Sequence, residues 1–288
     1  MFKEKKILLM LCLVGCLVWL AVYFFPDNKL HLVFCDVGQG DATLITKGFS
    51  QILIDGGPND KVLSCLSKNM PFFDNKIEMV ALTHPEADHL TGLISVLDKY
   101  EVTTFLMGPE GNQSAVFLAL EKRLAALMQD KKIIVKNVYT NDKISLGQIK
   151  MVVVWPEKTW VSEKLGSNGG NILGVQSTKL KLNQFSLVFL LTYDQKTVLL
   201  MGDADQSVQN RIVDVYSLMP LDILKFPHHG SKTGMSEEFL KKIKPKIGVI
   251  SVGKNSYGHP TAEALDLLKK EEVVIRRTDL EGDISYTF

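Results

Sequence analysis

Thr83-His84-Pro85-Glu86-Ala87-Asp88-His89 follows the apolar run Met79-Val80-Ala81-Leu82 without a break. Four apolar residues ended by a His-Pro turn read as a strand buried on both faces. The next polar residues then leave the strand end together. The same arrangement recurs along the chain. Val198-Leu199-Leu200-Met201 runs into Gly202-Asp203, Ile223-Leu224-Lys225-Phe226 into Pro227-His228-His229-Gly230-Ser231, and Gly248-Val249-Ile250-Ser251-Val252 precedes Gly258-His259-Pro260. Five of the six histidines fall in these clusters. Imidazoles and carboxylates are thereby predicted to gather at one rim of a rigid sheet, the usual support for a metal site.

Around these clusters the chain alternates. Strand-like runs at Leu30 to Cys35, Ala42 to Thr46 and Gln51 to Ile54 are separated by the glycine turns Gly38-Gln39-Gly40 and Lys47-Gly48. A helix over Asp60 to Asn69 leads to the strand Glu78 to Leu82, and helices follow at Leu90 to Lys99 and Gln113 to Gln129. Beyond strands at Ile133 to Val138 and Ile149 to Trp155, Pro156 to Thr178 reads as a long polar loop that includes Ser167-Asn168-Gly169-Gly170-Asn171. The rhythm resumes with strands at Ser186 to Thr192 and Thr197 to Met201, a helix over Gln206 to Leu218, and further alternation to the end. Meanders followed by alternation in both halves predict an α/β architecture of two sheets face to face with helices outside.

With 33 Lys+Arg against 32 Asp+Glu, the net charge of +1 excludes a strong global attraction to nucleic acid, so such a substrate would have to be held locally. Residues 1–28 read as a separate unit: a basic head, an uncharged stretch from Ile7 to Phe25, and the polar link Pro26-Asp27-Asn28-Lys29. That stretch predicts a single transmembrane helix with its N-terminus inside and residues 29–288 outside the bacterial cytoplasmic membrane, in preference to a cleaved signal or lipoprotein leader. Cys12 and Cys16 lie within it. Cys35 and Cys65 have no Cys-x-x-Cys spacing and read most simply as buried apolar residues, a bond between them remaining open. There is no Gly-x-Ser-x-Gly elbow, phosphate loop or dinucleotide turn.

The chemistry follows from spacing. His84 and Glu86 fall on one side of an extended turn, and Asp88 and His89 start the next element. Neighbours so arranged serve two metal positions, typically about 3.5–4 Å apart, that clamp both oxygens of a displacement. Asp203 is placed to bridge them, its alternative role being the N-cap of the following helix. His259 offers another imidazole. Of the adjacent pair His228 and His229, one faces the site and the other supports it; the sequence does not say which. Asp55 reads as a group orienting a ligand histidine. Asp36 and Asp41 suit glycine turns as well as a site. For a phosphodiester substrate, Lys225, Lys254, Ser231 or the amides of Gly38-Gln39-Gly40 would be the contacts to phosphate oxygens. His31, among apolar residues, reads as structural.

Taken together, Asp36-Val37-Gly38-Gln39-Gly40-Asp41-Ala42, Leu53-Ile54-Asp55-Gly56-Gly57, the His84 to His89 cluster with Gly92, Gly202-Asp203, His228-His229-Gly230-Ser231 and Gly258-His259-Pro260 resemble the metallo-β-lactamase superfamily. Within it they resemble the hydrolase domain of ComEC-type competence proteins, which import DNA. The resemblance covers residues 30 to 288. It implies a four-layer αβ/βα sandwich and two divalent ions, zinc or manganese, at His84, Glu86, Asp88, His89, Asp203 and His259, with His228 or His229 close by. Two departures weaken one metal position. Glu86 stands where the commonest pattern has a second histidine, and Asn183-Gln184-Phe185-Ser186 stands where a further histidine is expected. The implied activity is phosphodiester hydrolysis on DNA outside the membrane, beside a separately encoded uptake channel. Asp88 would orient or deprotonate the attacking water, and Asp203 would bridge the metals. An acyl or lactone hydrolase and a non-catalytic DNA- or partner-binding module are the alternatives.

Overall fold

A computed structural model describes residues 2–166, 170–215 and 220–288. Two seven-stranded sheets carry the fold. The first orders its strands Ile284–Thr287, Leu30–Phe34, Thr43–Lys47, Ser50–Ile54, Lys76–Ala81, Glu101–Met107 and Ile134–Asn137. The second runs Val274–Arg277, Ile247–Ile250, Ile223–Lys225, Lys196–Leu200, Val188–Tyr193, Ile149–Trp155 and Lys143–Leu146. Leu32, Phe34, Ile45, Ile52 and Ile54 of the first sheet meet Met151, Val153, Phe189, Leu191 and Leu200 of the second in one dry core.

Helices close the outer faces. Lys61–Asn69, Ala87–Lys99 and Ala115–Gln129 pack Val62, Leu90, Leu93, Val96, Phe117 and Leu120 against Leu44, Leu53, Val80 and Phe105. On the far side Val208, Phe239, Leu240, Ala264 and Leu268 cover Leu199, Leu224 and Ile250. Helix, sheet, sheet, helix is therefore the layer order. The buried positions Leu90, Leu93, Val96 and Leu97 recur every three or four residues, which buries one stripe of the helix Ala87–Lys99.

That helix starts at Ala87, three residues before the expected Leu90, and Asp88 and His89 stand in its first turn, at the start of the element as their spacing predicts. It is clamped to the turn Asp55-Gly56-Gly57. Gly56 N donates to His89 O at 2.7 Å and Gly92 N to Gly57 O at 3.0 Å, so the two backbones approach too closely for a Cβ on Gly92.

Several expectations are corrected. Lys158–Leu165, read as part of a polar loop, is a helix that buries Trp160 beside Trp155 and Phe185. Only Trp160 and Val161 of it are buried, too few to print a helical period on the sequence. Gln176–Ser177, within the same stretch, pairs in parallel with Glu110–Gly111. Residues 167–169 of the Ser167 to Asn171 run lie outside the described residues, as do residues 216–219, which include the expected helix end at Leu218; that helix is described over Gln206–Val215. Cys35 and Cys65 are disulfide-bonded across a sequence separation of 30 residues, with Cα atoms 5.8 Å apart. The bond ties the loop leading to Asp41 onto the helix Lys61–Asn69.

The N-terminal expectation is also revised. Phe2–Phe24 is helical, but among the described residues no helix is long and apolar enough to cross a membrane. The charged Glu4, Lys5 and Lys6 occupy its start, and the uncharged part from Ile7 to Phe24 reaches only roughly 27 Å, against about 30 Å of hydrocarbon. The single-pass anchor, and the membrane location and orientation drawn from it, are accordingly withdrawn. His31 is half-buried and meets Asp27 at 2.7 Å and Thr287 at 3.1 Å.

Candidate metal centre

Parallel strands aim their following loops at one edge. Ser50–Ile54, Lys76–Ala81 and Glu101–Met107 run parallel in the first sheet, and Lys196–Leu200, Ile223–Lys225 and Ile247–Ile250 in the second. Asp55, His84, Asp203, His228, His229 and His259 all follow such strands, and the face-to-face packing brings the two loop sets together.

Asp41, His89, Asp203 and His229 are all buried, and each offers one ligand atom such that the four atoms lie within 4.8 Å of one another. His89 Nε2 is 3.4 Å from Asp203 Oδ1, and His229 Nε2 is 3.7 Å from Asp203 Oδ2 and 3.3 Å from Asp88 Oδ2. The His84 ring lies against that of His89, centroids 4.2 Å apart and planes tilted by 58°. The supporting contacts turn these rings inward. Asp55 Oδ2 lies 2.9 Å from His89 Nδ1 and also accepts from the Thr83 hydroxyl, while His229 Nδ1 lies 2.9 Å from Ser251 O. Each contact occupies one ring nitrogen and leaves Nε2 to face the cluster.

The fit to a divalent ion can be judged on polar satisfaction. Asp41 Oδ1, His84 Nε2, His89 Nε2, Asp203 Oδ1 and His229 Nε2 are buried without a hydrogen-bond partner in the protein. An unsatisfied buried polar atom costs about 1–3 kcal/mol, so several converging ones are tolerable only if something else occupies the space between them. All are lone-pair donors of the kind zinc and manganese accept. The backbone is strained at the same place. Asp55, His228 and His229 hold φ of 61°, 52° and 52°, in a region non-glycine residues rarely enter, at roughly 1–3 kcal/mol each. The residues present therefore fit a divalent metal.

Electrostatics agree. Burial pushes Asp203 up, but the charges of His229 and His89 outweigh it and hold the carboxyl well below the usual range. Asp88 is likewise raised by burial, but the His229 imidazole 3.3 Å away and the charge of His89 outweigh it and hold the carboxyl below its ordinary value. Burial lowers His89, yet Asp203 and Asp55 drive it well above its ordinary value, and His229 rises for the same reason beside Asp203 and Asp41. Without an ion, protons on the rings supply the positive charge the acids require.

A pH dependence follows. The raised imidazoles stabilise the metal-free fold below 6.5, and that contribution is lost as pH climbs through their folded values. The depressed carboxyls stabilise it above 3.8, and that contribution is lost as pH falls. Chelated protein should accordingly melt highest between roughly pH 4 and 6.5, and protein with added Mn²⁺ at higher pH, because ligation needs deprotonated rings. Thermal melts across pH with and without chelator check this; superimposable profiles would refute it.

The remaining expected residues divide. Glu86 is 3.8 Å from His84 Nε2 and reaches an open cavity of about 780 Å³. Asp88, His228, His229, His259, Gln39, Asn112 and Lys254 line the same cavity. His228 is part-exposed with Nε2 3.9 Å from Asp203 Oδ2, and His259 is 5.6 Å from it, ring to ring. Of the adjacent pair, His229 is thus the inner ring and His228 the outer. Asp36 stands apart, accepting from Gly38 N and bordering a separate cavity of about 260 Å³. Asn183 sits in the short turn Leu182–Phe185, from which Leu182 rather than Asn183 lines the main cavity. Ser231 bonds Thr233 and does not line it. Lys225, read from sequence as a phosphate contact, is instead buried: its ammonium is paired with Asp41 and donates to Gly202 O at 3.0 Å. A lysine within the otherwise apolar run Ile223-Leu224-Lys225-Phe226 was the available signal for such a buried pair.

A family model described as the metallo-beta-lactamase superfamily matches residues 35–254. Over 315 aligned residues the chain is 25% identical to ComE operon protein 3 of Bacillus subtilis, covering 99% of this chain and 37% of that protein. It is 24% identical over 298 residues to Recombination protein 2 of Haemophilus influenzae, covering 100% of this chain and 33% of that protein. The chain thus spans about a third of the length of these relatives. In fold it is similar to the metallo-beta-lactamase fold protein YhfI from Bacillus subtilis, with a TM-score of 0.54 at 12% identity, over 90% of this chain and 100% of that one.

Proposed function

This chain belongs to the metallo-beta-lactamase superfamily, and from that premise we propose that it is a metal-dependent phosphodiesterase acting on DNA. One observation carries the reading. The buried acid–imidazole cluster opens into a cavity whose rim presents Lys254 and the polar Asn112, Ser114 and Asn255. Lys254 makes no ion pair among the described residues, so its charge is free for an anionic substrate. The likeness to Recombination protein 2, together with the ComEC-type motifs, supports DNA as that substrate. A DNA-uptake channel is a partner consistent with the same likeness.

Asp41, His89, Asp203 and His229 would hold a divalent ion, joined by His84, Asp88 and the outer His228, His259 and Glu86 toward a second position. When bound, such an ion lowers the pKa of water and offsets the charge that develops at a phosphorus centre. The protein's own groups do the rest. Asp55 and Ser251 O fix the tautomers of His89 and His229. Asp88, kept ionised beside His229, is the acceptor that orients the attacking water from the cavity side.

The test is a substrate panel on the purified chain with Mn²⁺ or Zn²⁺: single- and double-stranded DNA, bis-p-nitrophenyl phosphate, nitrocefin and a lactone. Chelator-sensitive cleavage of the phosphodiesters is expected. Intact phosphodiesters beside an opened lactone or nitrocefin would make the chain an acyl hydrolase. Absence of bound metal, with DNA binding indifferent to chelator, would make it a binding module.

A further inference from the structure

The segment Gly253 to Pro260 does more than deliver His259. Its backbone is organised around Asn255. The side-chain amide donates to Gly253 O at 2.8 Å and His259 O at 2.7 Å, and its oxygen accepts from Tyr257 N and His259 N, both at 3.0 Å. Gly253 N is anchored in turn to the Gln39 side chain across the site. A loop fixed this firmly nevertheless leaves its one aromatic ring in the open. Tyr257 is 73% exposed, and its hydroxyl makes no hydrogen bond among the described residues.

Exposing a tyrosine on an ordered loop forgoes its usual burial. The ring's surroundings show what it faces instead. Tyr257 borders the main cavity and lies 5.8 Å from His259, the planes inclined by only 31°. His259 is 5.6 Å from His228, which reaches toward Asp203. The row Tyr257, His259, His228 therefore leads from solvent to the cluster. Lys254, exposed and without an ion pair among the described residues, stands three positions earlier on the same loop. An aromatic face beside an unpaired cation is the combination that holds single strands, because every base has a π-face and every nucleotide a charge. Duplex bases are already stacked on one another and offer no such face along their length.

We propose that Tyr257 is a base-stacking platform and Lys254 its phosphate contact, so that the cavity takes single-stranded nucleic acid, one base seated on Tyr257 beside the cluster. This rests on the phosphodiesterase reading above. Neither side chain is a catalytic residue; both position the strand.

The test reads binding with the metal removed by chelator, so it does not depend on turnover. Fluorescence anisotropy of labelled oligothymidine, oligouridine and a closed DNA hairpin would be followed for wild type, Tyr257→Ala, Tyr257→Phe and Lys254→Ala. Tyr257→Ala is expected to weaken single-strand binding about 5- to 100-fold while leaving the hairpin unchanged; Tyr257→Phe should bind within about twofold of wild type. Lys254→Ala should reduce the salt dependence of single-strand binding by about one counterion. Unchanged melting curves would show that these exposed substitutions spare the fold. Equal affinity of wild type and Tyr257→Ala overturns the platform, and an unchanged salt slope overturns the Lys254 contact. If oligothymidine alone responds, the ligand is DNA; if both single strands respond, the sugar is not read. Wild type that neither binds nor cleaves nucleic acid defeats the phosphodiesterase reading as well, whereas cleavage that is insensitive to Tyr257→Ala defeats the platform alone.

Discussion

Asp203→Asn should empty the metal centre. The carboxylate is buried, stands 3.4 Å from His89 Nε2 and 3.7 Å from His229 Nε2, and follows a glycine held at φ 49° that turns it into the cluster. Its amide hydrogen is fixed by Ser186 Oγ at 2.9 Å, so the asparagine would keep the position and lose the charge. An amide adds donors where the site needs only acceptors, and one of the three acid charges facing each of His89 and His229 disappears. Metal content should drop below one ion per chain. Phosphodiester hydrolysis should fall by more than about 100-fold, the upper end of the cost of losing even an outer partner of a ligand. The imidazoles, no longer raised by Asp203, should also titrate closer to their ordinary values. Elemental analysis, turnover of bis-p-nitrophenyl phosphate and histidine NMR titration measure the three effects. Retained metal with activity within tenfold of wild type would remove Asp203 from the centre.

The second large effect concerns Lys225, which the apolar strand Ile223–Lys225 carries inward between the sheets at 2% exposure. Its ammonium is bound to Asp41 and Gly202 O and lies 4.0 Å from Asp203 Oδ1. Lys225→Met fills the same space without the charge. Removing one partner of a buried pair typically costs about 3–5 kcal/mol, because the other charge is left uncompensated. Two further results separate this from a packing defect. Asp41→Asn combined with Lys225→Met should recover most of the loss, since neither charge then remains. Added Mn²⁺ should also reduce the loss, because a cation beside Asp41 replaces the missing ammonium. Urea unfolding of the metal-free and metal-loaded variants measures both. A double variant no more stable than Lys225→Met alone would mean that the pair is not what the lysine contributes.

How much of this the sequence carried differs from element to element. The stretch from Met79 to His89 shows why local features were readable: an apolar run, a Pro-terminated turn and an amphipathic helix are all short-range patterns. The helix start was misplaced because its first turn exposes a site instead of burying a stripe, so Ala87, Asp88 and His89 break the apolar period. Lys158–Leu165 was missed because it buries little, and Lys143–Leu146 and Ile284–Thr287 because four residues are too few for their alternation to stand out from a loop. The N-terminal anchor was overcalled because an uncharged stretch from Ile7 to Phe25 was counted as a full span, whereas the helix Phe2–Phe24 carries charge in its first turns and ends one residue sooner.

The sequence by itself determined the fold class, the family and the edge at which the chemistry gathers, since each depends on patterns within about ten residues. Only the tertiary structure decided that His229 turns inward and His228 outward, because adjacent left-handed residues direct their rings by backbone torsion and not by residue type. It alone joined Lys225 to Asp41 and Cys35 to Cys65, and separated Asp36 from the cluster. Those outcomes depend on which distant side chain arrives opposite, and that is settled when two sheets pack face to face.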